Sequence, residues 1–250
     1  MTKIIMHGCN GRMGQMISEL AAEDETVEIV AGIDKFLGRE NKYPVFEKIG
    51  ACDVEADVII DFSNAAAVDD LLEYAGKKNI PVVLCSTGLS EEQYKKVNET
   101  SEKIAVLKSA NMSLGINMMM NLLKQAEKIL SDAGFDIEIV ERHHNKKLDA
   151  PSGTALALAD AMNTEDKYEY VFDRSGRRAA RDKKEMGISA VRGGTIVGEH
   201  DVIFAGTDEV ITFSHHAASR AVFAKGAIAA AKFLAGKEPG MYDMMDVINA

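Results

Sequence analysis

The segment Lys3-Ile4-Ile5-Met6-His7-Gly8-Cys9-Asn10-Gly11-Arg12-Met13-Gly14 sets the reading of the whole chain. An apolar run that stops at glycines and passes directly into a helical pattern predicts a strand, a tight turn and a helix start. Lys3 to His7 reads as a buried strand and Arg12 to Ala22 as an amphipathic helix. The glycines follow GxxGxxG spacing, one residue longer than the common GxGxxG. In that context they let the chain turn tightly, let backbone N–H groups approach a pyrophosphate, and let helix and strand pack closely. Gly8, Cys9, Asn10, Gly11, Arg12 and Met13 are therefore the first candidate dinucleotide contacts, with Arg12 adding a full charge to the helix dipole.

A second strand rich in β-branched residues, Val27 to Ile33, completes a βαβ unit and ends at Asp34-Lys35. A carboxylate there can accept hydrogen bonds from the adenosine ribose, and the adjacent ammonium attracts a 2′-phosphate, so the pair predicts use of both NADH and NADPH. The alternation continues through a strand at Val58 to Phe62, a helix near Ala65 to Lys78, a strand at Val82 to Leu84, a helix near Glu91 to Thr100 and a strand at Ile104 to Leu107. Such regular alternation predicts a mainly parallel sheet covered on both faces. Two loops at strand ends, Cys85-Ser86-Thr87 and Ser109-Ala110-Asn111-Met112, lie where such a sheet takes its ligand. Tyr74 and Lys78 share the YxxxK spacing that short-chain dehydrogenases use for proton transfer, but on an early helix where a solvated face is expected.

The rhythm then changes. A Met- and Leu-rich helix, about Ile116 to Ala133, leads to a strand at Asp136 to Glu141 and a helix after Pro151. Short strands follow near Ser189 to Val191, Val202 to Ala205 and Val210 to Ser214, then an Ala-rich helix over Ala218 to Ala235. The expected class is α/β: a Rossmann-type parallel-sheet domain with a second α+β mixed-sheet domain for substrate and oligomerisation. The first takes residues 1–113 plus 217–250, the second 114–216.

The densest chemical signal is Glu141-Arg142-His143-His144-Asn145-Lys146-Lys147-Leu148-Asp149-Ala150-Pro151-Ser152-Gly153-Thr154. Adjacent histidines on extended chain point to opposite sides and should differ in role. Imidazole suits general-acid work near neutral pH, and Lys147 supplies positive charge. A helix opening at Ser152-Gly153-Thr154 offers unpaired N–H groups and hydroxyls to a carboxylate. The competing readings are a capped helix behind a basic loop and a metal site; divergent histidines, with no nearby Cys or carboxylate at tight chelating spacing, argue against the metal. His215-His216 lacks neighbouring lysines and reads as local packing. Residues 174–184, basic within an acidic chain, read first as a solvated loop and second as an electrostatic funnel.

With 29 basic and 39 acidic residues the formal charge is -10, which disfavours a nucleic-acid partner. Cys9, Cys52 and Cys85 are too few and too widely spaced for a disulfide framework or thiolate metal site, which suggests a reducing compartment. With no signal-like segment and no membrane-length apolar run, the expected location is the cytoplasm.

Over essentially its full length the chain resembles the dihydrodipicolinate reductase family. The matching motifs are Gly8 to Gly14; Asn111, Ser113, Gly115 and Asn117; Glu141, His143, His144, Lys147 and Asp149 to Ala155; and Arg192, Gly194 and Ile196 to His200. The resemblance implies hydride transfer from NADH or NADPH to a cyclic dicarboxylate, 4-hydroxy-tetrahydrodipicolinate, giving tetrahydrodipicolinate on the route to diaminopimelate and lysine. It implies His143 as proton donor, Lys147 as its catalytic partner, and His144, Gly153 and Thr154 as substrate contacts. It also implies a homotetramer and a first domain completed by the C-terminal helix. Departures are Cys85-Ser86 in place of Gly-Thr, Met112 in place of Phe, and Lys146 where a His is common.

Overall fold

A computed structural model describes residues 1–172 and 174–250. In chain order the elements begin β1 (Thr2–His7), α1 (Arg12–Ala22), β2 (Val27–Ile33), β3 (Val45–Phe46), β4 (Val58–Asp61), α2 (Val68–Lys78), β5 (Val82–Leu84), α3 (Glu91–Ser101) and β6 (Ala105–Leu107). They continue α4 (Leu114–Asp132), β7 (Asp136–His143), α5 (Gly153–Met162), β8 (Glu169–Val171), β9 (Glu185–Arg192), β10 (Glu199–Ala205) and β11 (Val210–His216). The chain closes with α6 (Ala221–Leu234), β12 (Gly240–Tyr242) and α7 (Met244–Ile248). These form two compact units, Met1–Ser113 with Ala221–Ala250, and Leu114–Arg220.

The first unit is a seven-stranded sheet in the order β12-β6-β5-β4-β1-β2-β3, and its pairings are parallel. Alternate residues of β1 serve opposite faces. Ile4 and Met6 pack with Ile17 of α1 and Ala227, Ala231 and Leu234 of α6. Ile5 packs with Leu71 and Ala75 of α2 and Val97 of α3. A strand covered on both sides needs apolar residues at every position, which is why these strands read as continuous apolar runs. Each fully buried Ile or Leu contributes roughly 1.5–3 kcal/mol. α6 can lie close because Gly226 has no side chain: a Cβ there would stand 1.6 Å from the Met112 carbonyl oxygen.

The second unit carries a five-stranded mixed sheet in the order β11-β10-β7-β9-β8. β10 runs antiparallel to β7 and β11, whereas β7 and β8 run parallel to β9. Here β7 alternates strictly between buried and half-buried residues, as a sheet with one covered face should. α4 and α5 supply the cover: Leu123, Leu158 and Met162 pack on Ile137, Ile139, Ile188 and Phe204.

Most predicted elements appear within a residue or two of their expected ends. β3, β8, β12 and α7 have no counterpart in the sequence reading, because two to five residues carry no measurable period. β9 starts at Glu185 rather than Ser189, and the glycine inside it has a tertiary role. Gly187 lies opposite Glu138 of β7, and a Cβ would fall 1.8 Å from the Glu138 carboxylate.

Two expectations are corrected. Tyr74 is not on a solvated face: it is buried and donates to the Cys52 carbonyl at 3.0 Å, and burial pushes its phenol up to about 12. Residues 175–180 and 182–184 are exposed, as a solvated loop should be, but three of the four arginines of residues 174–184 are held in ion pairs rather than free to act as a funnel. Arg174 and Arg177 both pair with the buried Glu185, while Arg181 reaches Asp136 and Glu138 at 2.9 Å each. Carboxylates at the starts of β7 and β9 attract these guanidiniums onto the sheet.

Candidate active site

The glycine turn is built for close approach. Gly8 has φ +82°, a left-handed conformation that favours glycine, and a Cβ there would lie 2.6 Å from the Phe62 carbonyl oxygen. A Cβ on Gly14 would stand 2.2 Å from the Gly8 carbonyl oxygen, so this glycine lets α1 abut the turn. Gly11 caps α1 without a side-chain hydrogen bond, leaving first-turn N–H groups to an anion. Cys9 is fully buried and the half-buried Met13 packs on the same apolar core, so both side chains are engaged by the core and leave their backbone to a ligand. Burial, followed by the Asp34 charge, pushes the Cys9 thiol up to about 12.

Asp34 closes the turn. Its Oδ2 accepts from the Asn10 N–H and its Oδ1 from the Phe36 N–H, both at 2.9 Å. Gly8, Gly11, Asp34 and Lys35 line one cavity of about 660 Å³, together with His7, Ser63 and Asn64. The glycines of this wall leave backbone room for the close approach of a diphosphate. Of the later loops, Ser86, Asn111 and Met112 are buried while Thr87 and Ala110 are exposed. Burial and then Asp61 raise the Cys85 thiol well above its ordinary value, so it is not a thiolate near neutral pH. The Met112 side chain belongs to the apolar core.

In the second unit, the strand end and loop are organised by Glu141, which is fully buried. Its Oε2 meets His143 Nδ1 at 2.6 Å, Arg192 donates to both of its oxygens at 2.7 Å, and the Ser152 N–H donates to Oε1 at 2.9 Å. Burial alone would raise the Glu141 carboxyl, but Arg192, His143 and the Ser152 amide outweigh it and hold the group below its ordinary range. The carboxylate fixes the proton on His143 Nδ1, which leaves Nε2 for chemistry. Gly198 makes room on that side, since a Cβ would come within 3.0 Å of Nε2. Burial lowers the His143 proton affinity most; Glu141 opposes this, and Lys147 and Arg192 reinforce it, with a net downward shift.

Lys147 pairs with Asp149 at 2.8 Å. α5 starts at Gly153 with Ser152 as its cap, and the Ser152 hydroxyl accepts from the Ala155 N–H at 3.2 Å and lies 3.1 Å from His200 Nε2. That hydroxyl is thereby committed to the protein's own groups rather than to a ligand, contrary to expectation. Gly153 and Thr154 form the first turn beyond it, and His144 sits in the adjoining turn, its carbonyl accepting from the Lys147 N–H at 3.1 Å. His216 meets Glu199 at 2.9 Å, the local contact expected of that doublet. Among the described residues, no three of His, Cys, Asp or Glu cluster as metal ligands would, and no helix is long and apolar enough to cross a membrane.

Sequence reasoning missed His7, Asp61 and Ser63 in the first unit, and the roles of Arg192 and His200 in the second. The first had one visible signal, a polar residue closing an apolar strand just before the glycines. Asp61, Arg192 and His200 needed partners about fifty positions away, which spacing does not reveal.

Comparison with known proteins agrees with the motifs. Residues 2–112 match the family model described as dihydrodipicolinate reductase, N-terminus, and residues 115–248 the one described as its C-terminus. A protein named 4-hydroxy-tetrahydrodipicolinate reductase from Caldanaerobacter subterraneus subsp. tengcongensis is 54% identical, covering 100% of this chain and 99% of its own. Its namesake from Clostridium novyi is 52% identical with the same coverage. Among solved structures, the dipicolinate-bound dihydrodipicolinate reductase from Paenisporosarcina sp. TG-14 superposes with a TM-score of 0.81 at 23% identity, covering 97% of each chain, a likeness of fold. With both halves matched in order and relatives this similar end to end, the chain belongs to the dihydrodipicolinate reductase family.

Proposed function

We propose that this chain reduces 4-hydroxy-tetrahydrodipicolinate to tetrahydrodipicolinate with NADH or NADPH, in the diaminopimelate route to lysine. The observation that carries the reading is the Glu141–His143 contact of 2.6 Å beside a lysine and a helix start. A bound reduced nicotinamide dinucleotide supplies the hydride. The turn residues Gly8, Cys9, Asn10, Gly11, Arg12 and Met13 hold its diphosphate through backbone donors and the exposed Arg12 charge. Asp34 holds its ribose, Lys35 tolerates a 2′-phosphate, and the loops at Cys85, Ser86 and Thr87 and at Ser109, Ala110, Asn111 and Met112 border its nicotinamide half.

His143 donates the proton from Nε2, and its net lowered proton affinity makes that release easier. Glu141 keeps the ring oriented and stabilises its charged form before transfer. Lys147 is the catalytic partner: exchanging Asp149 for a substrate carboxylate turns its charge on the anionic ligand. His144, the Gly153 amide and Thr154 hold the substrate at the start of α5.

The protein is assigned to the cytoplasm as a homotetramer. An exposed apolar stripe on α4, Leu114, Met118, Leu122 and Ile129, supports assembly. Sedimentation as a monomer at micromolar concentration would count against it.

The test is a coupled assay in which aspartate semialdehyde, pyruvate and the preceding synthase generate substrate while nicotinamide absorbance is followed. Turnover is expected with both cofactors, with kcat/KM differing by less than about a thousandfold, or roughly 4 kcal/mol. His143→Ala should lower kcat about a hundredfold or more while NADH affinity is kept. Absence of turnover with either cofactor, or full activity of the variant, overturns the reading.

A further inference from the structure

The mechanism above makes no use of His7. It ends β1 immediately before the glycine turn and pairs in register with Asp61 at the end of β4. Both therefore sit at the carboxyl ends of adjacent parallel strands, where open α/β sheets take ligands. His7 Nδ1 lies 2.9 Å from Asp61 Oδ1, close enough for charge attraction but bent away from a straight hydrogen bond. Asp61 is fully buried, and the same Oδ1 accepts from the Ser63 hydroxyl at 2.6 Å and from the Ser63 N–H at 3.2 Å. Burial pushes its carboxyl up, but His7 and the Ser63 and Ser86 hydroxyls outweigh that and hold it below the ordinary range.

An ionised carboxylate this near would repel a lone pair on Nδ1, so the ring carries its proton there. With Nδ1 turned toward Asp61, Nε2 is the ring nitrogen left to meet a ligand. His7 lines the same cavity as Gly8, Gly11 and Asp34, and Nδ1 is the ring nitrogen that is sealed in. A pair serving only to tie β1 to β4 is a poor alternative. Backbone pairing already joins those strands from Ile4 to His7, and taking a carboxylate out of water costs several kcal/mol that an apolar pair would not incur.

We propose that His7 is a cofactor contact: Nε2 accepts a hydrogen bond from an adenosine donor, the adenine amino group or a ribose hydroxyl. Asp61 is its positioning residue. The proposal rests on the dinucleotide-binding reading of this cavity.

Calorimetric titration with NADH and with reduced nicotinamide hypoxanthine dinucleotide, which lacks the amino group, tests it on wild type and on His7→Ala, His7→Gln and His7→Phe. The Ala variant should bind NADH about tenfold more weakly, the loss of one buried hydrogen bond. Gln, which retains an acceptor, should recover part of that, and Phe, which keeps the ring volume without an acceptor, should not. The KM for NADH should rise in parallel while kcat at saturation stays within about twofold. If the amino group is the donor, wild type prefers NADH to the hypoxanthine analogue and the variants lacking an acceptor lose the preference; if a hydroxyl is, both ligands weaken equally. Folded Ala or Phe protein that binds both ligands as wild type does overturns the role of His7 and leaves the dinucleotide reading standing. Wild type that binds neither ligand overturns both.

Discussion

The glycine turn and the histidine loop are both places where a strand ends and a helix begins, yet they are made of different materials. The turn works through backbone: what matters is the side chains it lacks at Gly8 and Gly14, where a Cβ would strike a carbonyl oxygen. The loop works through side chains that hold one another, with Glu141 gathering His143, Arg192 and the Ser152 amide around a fully buried carboxylate. A backbone site is rigid because of sterics and indifferent to pH. A site of buried charge is rigid only while every member keeps its partner and its protonation state.

This contrast makes the loop the more fragile region. Glu141→Ala strips the shared carboxylate from Arg192 and His143, and should cost about 3–5 kcal/mol in urea unfolding as well as most of the turnover. A cost below about 1 kcal/mol would mean that water replaces the carboxylate freely, which is the behaviour of a surface pair. Gly14→Ala probes the other region. The expected result is as much as about 3 kcal/mol of strain and weakened dinucleotide binding, with His143 chemistry at saturating cofactor little changed. Unaltered binding and unaltered melting together would show that the turn yields, and that its glycines are not a rigid frame.

The smallest effect distinguishes the regions by pH. Burial, reinforced by the charge of His143, lowers His200 from 6.5 to about 4. The unfolded chain therefore takes up this proton first, so the stabilisation is complete above the unfolded value and is lost as pH falls from there towards the folded value. His143 and His215, also lowered mainly by burial, act in the same direction. Moving from about pH 7 to pH 5 should remove about 2 kcal/mol through His200. In His200→Gln that slope should flatten; an equally steep loss in the variant would assign it elsewhere.

How much was legible follows from the same division. β1, α1 and β2 could be read because their apolar periods and glycines are local. The candidate residues of the histidine loop were visible as an unusual density of protonatable groups. The bond that organises them was not, because Arg192 lies 51 positions from Glu141 and is brought to it by the parallel pairing of β7 and β9. The room that Gly187 gives the Glu138 side chain is likewise set by the pairing of β7 and β9 and has no local sign. The ion pairs of the basic run at Arg174 to Lys184 were not legible because their carboxylate partners belong to strands.

The seven-stranded sheet is finished last. β12 is its edge strand, and Ala224, Ala227, Ala230, Ala231, Leu234 and Met244 complete one of its two cores. During synthesis the ribosome releases residues 1–113 long before those side chains exist. The nascent chain must therefore keep Ile4, Met6, Ile60 and Leu107 from premature association until α6 and α7 emerge, an interval in which chaperone binding has most to offer. A stop codon shortly after Arg220 should accordingly yield an aggregating product rather than a half-active one.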